Sequence, residues 1–200
     1  MIGLFSNRIT NVKKLHEIIK PTDKVFCISG SNLDWQKSNP TEFNEGSKYY
    51  EEQYEQIAQY NIKRKNYYIL NLLHTKEYVL NRYKESNIII LLGGGPENLY
   101  HIIKEYDLES HIKNDNKILL GISAGAMLLC DHFYILPFID ENYNFFKQCK
   151  GLELVHDIAL FVHYEHSNPY HDINKKWLEI NKLKNEKIIL LSDNNEVILE

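Results

Sequence analysis

Lys117-Ile118-Leu119-Leu120-Gly121-Ile122-Ser123-Ala124-Gly125-Ala126 sets a short apolar run directly before a Gly-x-Ser-x-Gly turn and a run of small residues. Consecutive apolar residues suit a strand covered on both faces of a parallel sheet. A serine at the strand-to-helix junction that follows is the context a nucleophile elbow requires. Projecting a side chain from so sharp a turn forces its backbone into a strained conformation, and a residue larger than glycine two positions away would meet the neighbouring chain. The Ser123 hydroxyl would also stand near a helix N-terminus, whose partial positive charge favours an alkoxide or oxyanion. The plainer alternative is a small-residue turn that packs a helix onto the sheet, with Ser123 as its N-cap.

With the flanking strand and the helix that follows, a second glycine motif favours the catalytic reading. Ile88-Ile89-Ile90-Leu91-Leu92 runs into Gly93-Gly94-Gly95-Pro96-Glu97-Asn98-Leu99, a strand, a glycine turn and a helix with proline and an acid in its first turn. Backbone N–H groups on such a turn can bind an anion. No GxGxxG pattern or P-loop lysine follows, so nucleotide phosphate is disfavoured. Half of an oxyanion hole fits better, from Gly94 or Gly95, completed by the Ala124 N–H.

Outward from these motifs, apolar runs at 2–6, 24–29, 67–72, 87–92, 117–122, 158–163, 187–191 and 197–199 predict strands. Helical spacing of apolar residues appears over 45–63, 75–84 (opening on a threonine cap), 97–113 and 173–183. This alternation predicts one α/β domain over residues 1–200, a doubly wound, mostly parallel sheet flanked by helices. The polar stretch 30–44 reads as a long loop leaving the carboxyl end of a strand, where ligands bind in open α/β sheets. Residues 133–150 read as a hairpin or an irregular loop. The last two strands read as a hairpin turned at Asp193-Asn194-Asn195.

Composition narrows the class. Of 200 residues 44% are hydrophobic and 25% charged, ordinary for a globular chain with a full core. A net charge of −4 lacks the basic stripe of a nucleic-acid or anionic-membrane surface. No apolar run reaches the roughly 18 residues of a membrane span, and the apolar opening is cut short by Ser6-Asn7-Arg8. Three cysteines, Cys27, Cys130 and Cys149, without CxxC spacing, fit a reducing compartment. The expected location is cytoplasmic, with a small peptide as partner, no nucleic acid or membrane, and a homodimer left open.

Nine histidines compete to be the base for Ser123. His163 ends an apolar run, so a strand would deliver it to the ligand edge of the sheet. His156 begins the same run, at the opposite edge, while His166 and His171 follow in a polar loop. His163, His166 and His171 lack a carboxylate or cysteine at ligand spacing, so no metal is expected. His16, His74, His101, His111 and His132 read as solvated or turn residues. A third group must hold the imidazole tautomer. Asp193 is the first choice, with Asp140 and Glu165 as alternatives.

Taken together, the Ile-Ile-Ile-Leu-Leu-Gly-Gly-Gly run, Leu-Leu-Gly-Ile-Ser-Ala-Gly-Ala, Gly151-Leu152-Glu153-Leu154 and Phe161-Val162-His163-Tyr164 resemble the dipeptidase E and cyanophycinase family of serine peptidases. The opening Ile2-Gly3-Leu4-Phe5-Ser6-Asn7 is similar to that family's first strand. The resemblance implies a flavodoxin-like fold of the class I glutamine amidotransferase type, in which amidotransferases place cysteine at the serine position. It implies Ser123 as nucleophile, His163 as base, Asp193 as the nearest match for the acid, and donors from the Gly93–Gly95 turn and Ala124. It also implies hydrolysis of peptides with N-terminal aspartate, or of β-aspartyl-arginine links, without a cofactor. An aspartyl preference calls for a cation near the site, for which Arg8, Lys147 and Lys150 are candidates. Two departures stand out: Gly-Gly-Gly-Pro-Glu-Asn replaces the family's more usual Gly-Gly-Gly-Asn-Thr turn, and residues 133–150 match poorly. The rivals are another amide-directed reaction on the same fold and a non-catalytic module that binds a ligand or partner.

Overall fold

The computed structural model describes residues 1–135, 147–164 and 187–199. In chain order the strands are β1 (Ile2–Phe5), β2 (Val25–Gly30), β3 (Tyr67–Ile69), β4 (Ile88–Gly94), β5 (Ile118–Ile122), β6 (His132–Ile135), β7 (Lys147–Lys150), β8 (Ile158–Phe161), β9 (Lys187–Leu190) and β10 (Glu196–Leu199). The helices are α1 (Lys13–Ile18), α2 (Leu33–Ser38), α3 (Lys48–Ala58), α4 (Lys76–Glu85), α5 (Pro96–Glu105), α6 (Glu109–Asn114) and α7 (Ala124–Leu128). Six strands form one sheet in the order β10-β1-β5-β4-β2-β3, all parallel except β10, which runs antiparallel to β1.

Why β4 is apolar at every position from 88 to 92 follows from its place in the middle of this sheet. Ile89 and Leu91 face one core with Val79, Tyr83, Leu99, Ile102 and Ile103, whereas Ile88, Ile90 and Leu92 face the other with Leu15, Tyr50, Tyr54 and Ile57. Side chains alternate across a strand, so a continuous apolar run is what two covered faces demand. Helices α1 and α3 cover one face, and α4, α5, α6 and α7 the other. The mostly parallel, doubly wound sheet anticipated from the sequence is therefore present.

Four local expectations change. Residues 30–44 are not a plain loop: they hold α2, capped by Asn32, whose side chain accepts from the Trp35 amide at 3.0 Å. The helix expected over 45–63 begins only after Ser47, which caps Tyr50. The one expected over 97–113 splits at Asp107, whose φ of 57° is left-handed, into α5 and α6. The terminal hairpin does not form. β9 instead pairs in parallel with β8 as a separate two-stranded sheet, and β10 joins the main sheet beside β1. Within 133–150, β6 and β7 pair antiparallel as the arms of a hairpin. The helix expected over 173–183 lies outside the described residues.

Candidate active site

The carboxyl ends of β1, β2, β4 and β5 meet at one edge of the main sheet, and each contributes a residue there: Ser6, Gly30, Gly93 with Gly94, and Ser123. Ser123 has φ 53° and ψ −116°, a conformation that costs a non-glycine residue about 1–3 kcal/mol. Close packing imposes it. A Cβ on Gly121 would lie 2.6 Å from the Ala126 Cα, and one on Gly125 would lie 2.0 Å from the Leu91 carbonyl oxygen of β4. The first turn of α7 is thus pressed against the neighbouring strand, and the Ser123 N–H is held by the Phe5 carbonyl at 2.9 Å.

His163 and Asp193 arrive from outside that sheet. His163 follows β8 with φ 57°, and Asp193 follows β9. The Ser123 Oγ lies 2.9 Å from the His163 Nε2, and the His163 Nδ1 lies 2.6 Å from the Asp193 Oδ1. In the tautomer this network requires, Nδ1–H donates to the carboxylate and Nε2 accepts from the serine. His163 and Asp193 are both half-exposed, with side chains 40% and 36% accessible. Beneath them the Ser6 Oγ accepts from the His163 N–H at 2.6 Å and donates to the Asp193 Oδ1 at 3.2 Å.

The glycine turn after β4 lies beside the serine: a Cβ on Gly93 would come 3.4 Å from the Ser123 Cβ. Gly94 has φ 118°, and a side chain there would also strike the Gly30 carbonyl at 2.3 Å. The Gly95 N–H is already committed to the Gly30 carbonyl at 2.7 Å. Ser123, His163, Gly93 and Gly94 border an open cavity of about 460 Å³, with Asn7, Ser31, Tyr49, Glu52, Gln53 and Gln56 on its other sides. The Tyr49 hydroxyl is 2.6 Å from the Ser29 Oγ and 3.3 Å from the Ser31 Oγ. Burial pushes the Tyr49 phenol above its ordinary range, with the two serine hydroxyls pulling it partly back, so it remains neutral.

Ser123, His163, Asp193, Gly94 and Ala124, picked from the sequence, are therefore neighbours at one sheet edge. Asp140, Glu165, His166 and His171 lie outside the described residues, as does the side chain of Lys147. Lys150 pairs with Glu153 at 3.0 Å, and Arg8 borders an adjoining cavity that shares Gln56 with the first. His156 is bound to Asp131 at 2.7 Å at the far end of β8, and His74 to Tyr68 at 2.8 Å. Among the described residues no three His, Cys, Asp or Glu side chains gather as metal ligands, and no helix is long and apolar enough to cross a membrane.

Reading the sequence by motif missed Ser6 and the α3 wall of the cavity. Both left signals. Ser6 is the first polar residue after the β1 apolar run, and Tyr49, Glu52, Gln53 and Gln56 recur at helical spacing on the face beside the buried Tyr50, Tyr54 and Ile57.

Comparison with known proteins adds the context. The family model described as peptidase family S51 matches residues 40–200. No match to the curated proteins was found. Among solved structures, the chain is similar to a protein from Listeria monocytogenes EGD-e assigned as a peptidase E. The TM-score is 0.68 at 17% identity, over 98% of this chain and 91% of that one.

Proposed function

This chain belongs to peptidase family S51 and is a serine-type peptidase, and from that premise we propose that Ser123, His163 and Asp193 carry its chemistry. Membership disposes of the non-catalytic module considered above. The observation that carries the residue assignment is the unbroken path of hydrogen bonds, 2.9 Å and then 2.6 Å, from a strained serine at the cavity through His163 to Asp193.

In this reading the Ser123 Oγ attacks the scissile carbonyl carbon while the His163 Nε2 takes its proton. Asp193 holds the Nδ1–H and stabilises the imidazolium that forms. The negative charge that develops on the carbonyl oxygen is met by the N–H groups of Ala124 and Gly94, since the Gly95 N–H already serves Gly30. The tetrahedral adduct collapses by breaking the C–N bond as His163 returns the proton to the leaving amine. Water, deprotonated by His163, then attacks the acyl-serine, and Ser123 recovers its proton as the carboxylic acid leaves. No step calls for a cofactor.

The substrate proposed is a small peptide, with N-terminal aspartate as the preferred class. The open cavity suits a dipeptide-sized ligand better than an extended polypeptide. Of the two candidate cations whose side chains are described, Arg8, at the adjoining cavity, is the better placed to meet an aspartyl carboxylate, because Lys150 is paired with Glu153. The test is hydrolysis of Asp-Leu, Leu-Leu and β-Asp-Arg by wild type and Ser123→Ala. Cleavage of the Asp-first peptide, reduced about 10³-fold or more in the variant, is expected. Cleavage that survives Ser123→Ala would remove the serine from its role, and equal cleavage of Leu-Leu would remove the aspartyl preference.

A further inference from the structure

We infer that Ser6 is a positioning residue, whose hydroxyl locks the His163–Asp193 pair onto the strand that also holds Ser123. This rests on the triad reading above and adds a fourth side chain to it.

The polarity of the Ser6 contacts is forced. A backbone N–H can only donate, so at 2.6 Å from the His163 nitrogen the Ser6 Oγ must accept. Its single proton is then left for the Asp193 Oδ1 at 3.2 Å, a bond to a charged acceptor. Asp193 Oδ1 also receives the His163 Nδ1–H at 2.6 Å. The three contacts close a ring through one serine, one histidine and one carboxylate oxygen. Ser6 is fully buried, so water cannot readily take over either bond.

Its place in the chain gives the ring its purpose. Phe5 and Ser6 are consecutive residues at the end of β1, a strand hydrogen-bonded on both sides within the main sheet. The Phe5 carbonyl holds the Ser123 N–H at 2.9 Å, and the Ser6 hydroxyl holds His163 and Asp193. Two adjacent residues thus set the relative positions of all three groups, although the base and the acid come from the separate β8–β9 sheet. The bond to the His163 amide also holds that residue at φ 57°, a conformation a histidine seldom adopts. A shift of about 1 Å between nucleophile and base is enough to lose two orders of magnitude in rate.

The experiment needs no identified substrate. The second-order rate of fluorophosphonate labelling at Ser123 is measured for wild type, Ser6→Ala, Asp193→Asn and the double variant, with thermal unfolding of each. Ser6→Ala is expected to label about 10- to 100-fold more slowly while staying folded at the assay temperature, its unfolding midpoint lowered by a few degrees because the His163 N–H loses its buried acceptor. In the Asp193→Asn background the same change should cost less than about 2-fold, because groups acting as one unit are not additive. Ser6→Cys, which keeps the shape and weakens both bonds, should be slowed as well, and it supplies the answer if Ser6→Ala does not fold. Ser6→Thr, which restores a hydroxyl, should recover part of the rate. Unchanged labelling in both the alanine and cysteine variants, or a full additive loss on top of Asp193→Asn, would overturn the proposal. Wild type that does not label at Ser123 would instead sink the triad reading on which it rests.

Discussion

The six-stranded sheet and the β8–β9 pair carry the two halves of the candidate site, and different forces hold them. Ser123 and the glycine turns belong to the sheet interior, where backbone meets backbone and no side chain has room. His163 and Asp193 belong to the smaller pair, one face of which buries Ala159 and Phe161 against Tyr134 while Leu160, and Leu191 just after β9, join the main core, with β9 itself only half-covered among the described residues. To that packing the site adds polar ties: the Ser6 bonds and the contact to Ser123 itself. Backbone-on-backbone packing fixes Ser123 rigidly and tolerates nothing larger, while hydrogen bonds complete the placement of His163 and Asp193. Changes in the first region should therefore fall on folding, and changes in the second on rate.

The largest expected effect is at Gly125. An alanine methyl there would sit 2.0 Å from the Leu91 carbonyl oxygen, a backbone atom that cannot rotate away. Gly125→Ala should lose about 3 kcal/mol or more, or fail to accumulate as folded protein. Denaturant unfolding reads this directly. A Gly125→Ala protein of wild-type stability would mean that the elbow is not pressed on β4 as described, and the contrast between the regions would lose its first term.

Next comes the same deletion made once in each region. Leu91→Ala removes a fully buried side chain from the centre of the main sheet, where such changes cost about 2–5 kcal/mol. Leu190, on β9, is half-buried, so Leu190→Ala should cost about 1 kcal/mol. Because Leu190 lies three residues before Asp193, its loss should show more in labelling rate at Ser123 than in the unfolding midpoint. Equal destabilisation by the two changes would show that the β8–β9 pair is as much a part of the core as β4.

The same division explains what could be read from the sequence. Strands buried on both faces announce themselves as unbroken apolar runs, and the elbow glycines stand at fixed distances from their serine, so β4, β5 and Ser123 were legible from local pattern alone. Partner choice was not. Ile188-Ile189-Leu190 and Val197-Ile198-Leu199 carry much the same apolar pattern whether they pair with each other or with β8 and β1. Asp193-Asn194-Asn195 serves a crossing between two sheets as well as a hairpin turn. The split between α5 and α6 was hidden for a related reason, since the apolar stripe continues through Ile112 while only the backbone at Asp107 turns aside. Ser6 carried no motif, and its role depends on residues 157 and 187 positions away along the chain.

The smallest expected effect is at the other end of β8. Asp131 accepts there from the Asp157 N–H at 3.1 Å through Oδ2 and meets the His156 Nδ1 at 2.7 Å through Oδ1. Asp157, like His163, has φ 57°, so both ends of β8 turn through a left-handed residue held by a side chain from elsewhere. The difference lies in burial: Ser6 is enclosed, whereas the His156 side chain is 68% accessible and water can replace Asp131. Asp131→Ala should therefore cost about 1 kcal/mol or less, with Ser123 labelling within about 2-fold of wild type, the spread expected of a tether remote from the reacting atoms. A rate loss as large as that of Ser6→Ala would show that β8 moves as a rigid rod, so that either tether sets the position of His163; a silent Asp131→Ala beside a slow Ser6→Ala would place the control of the base at the buried tether alone.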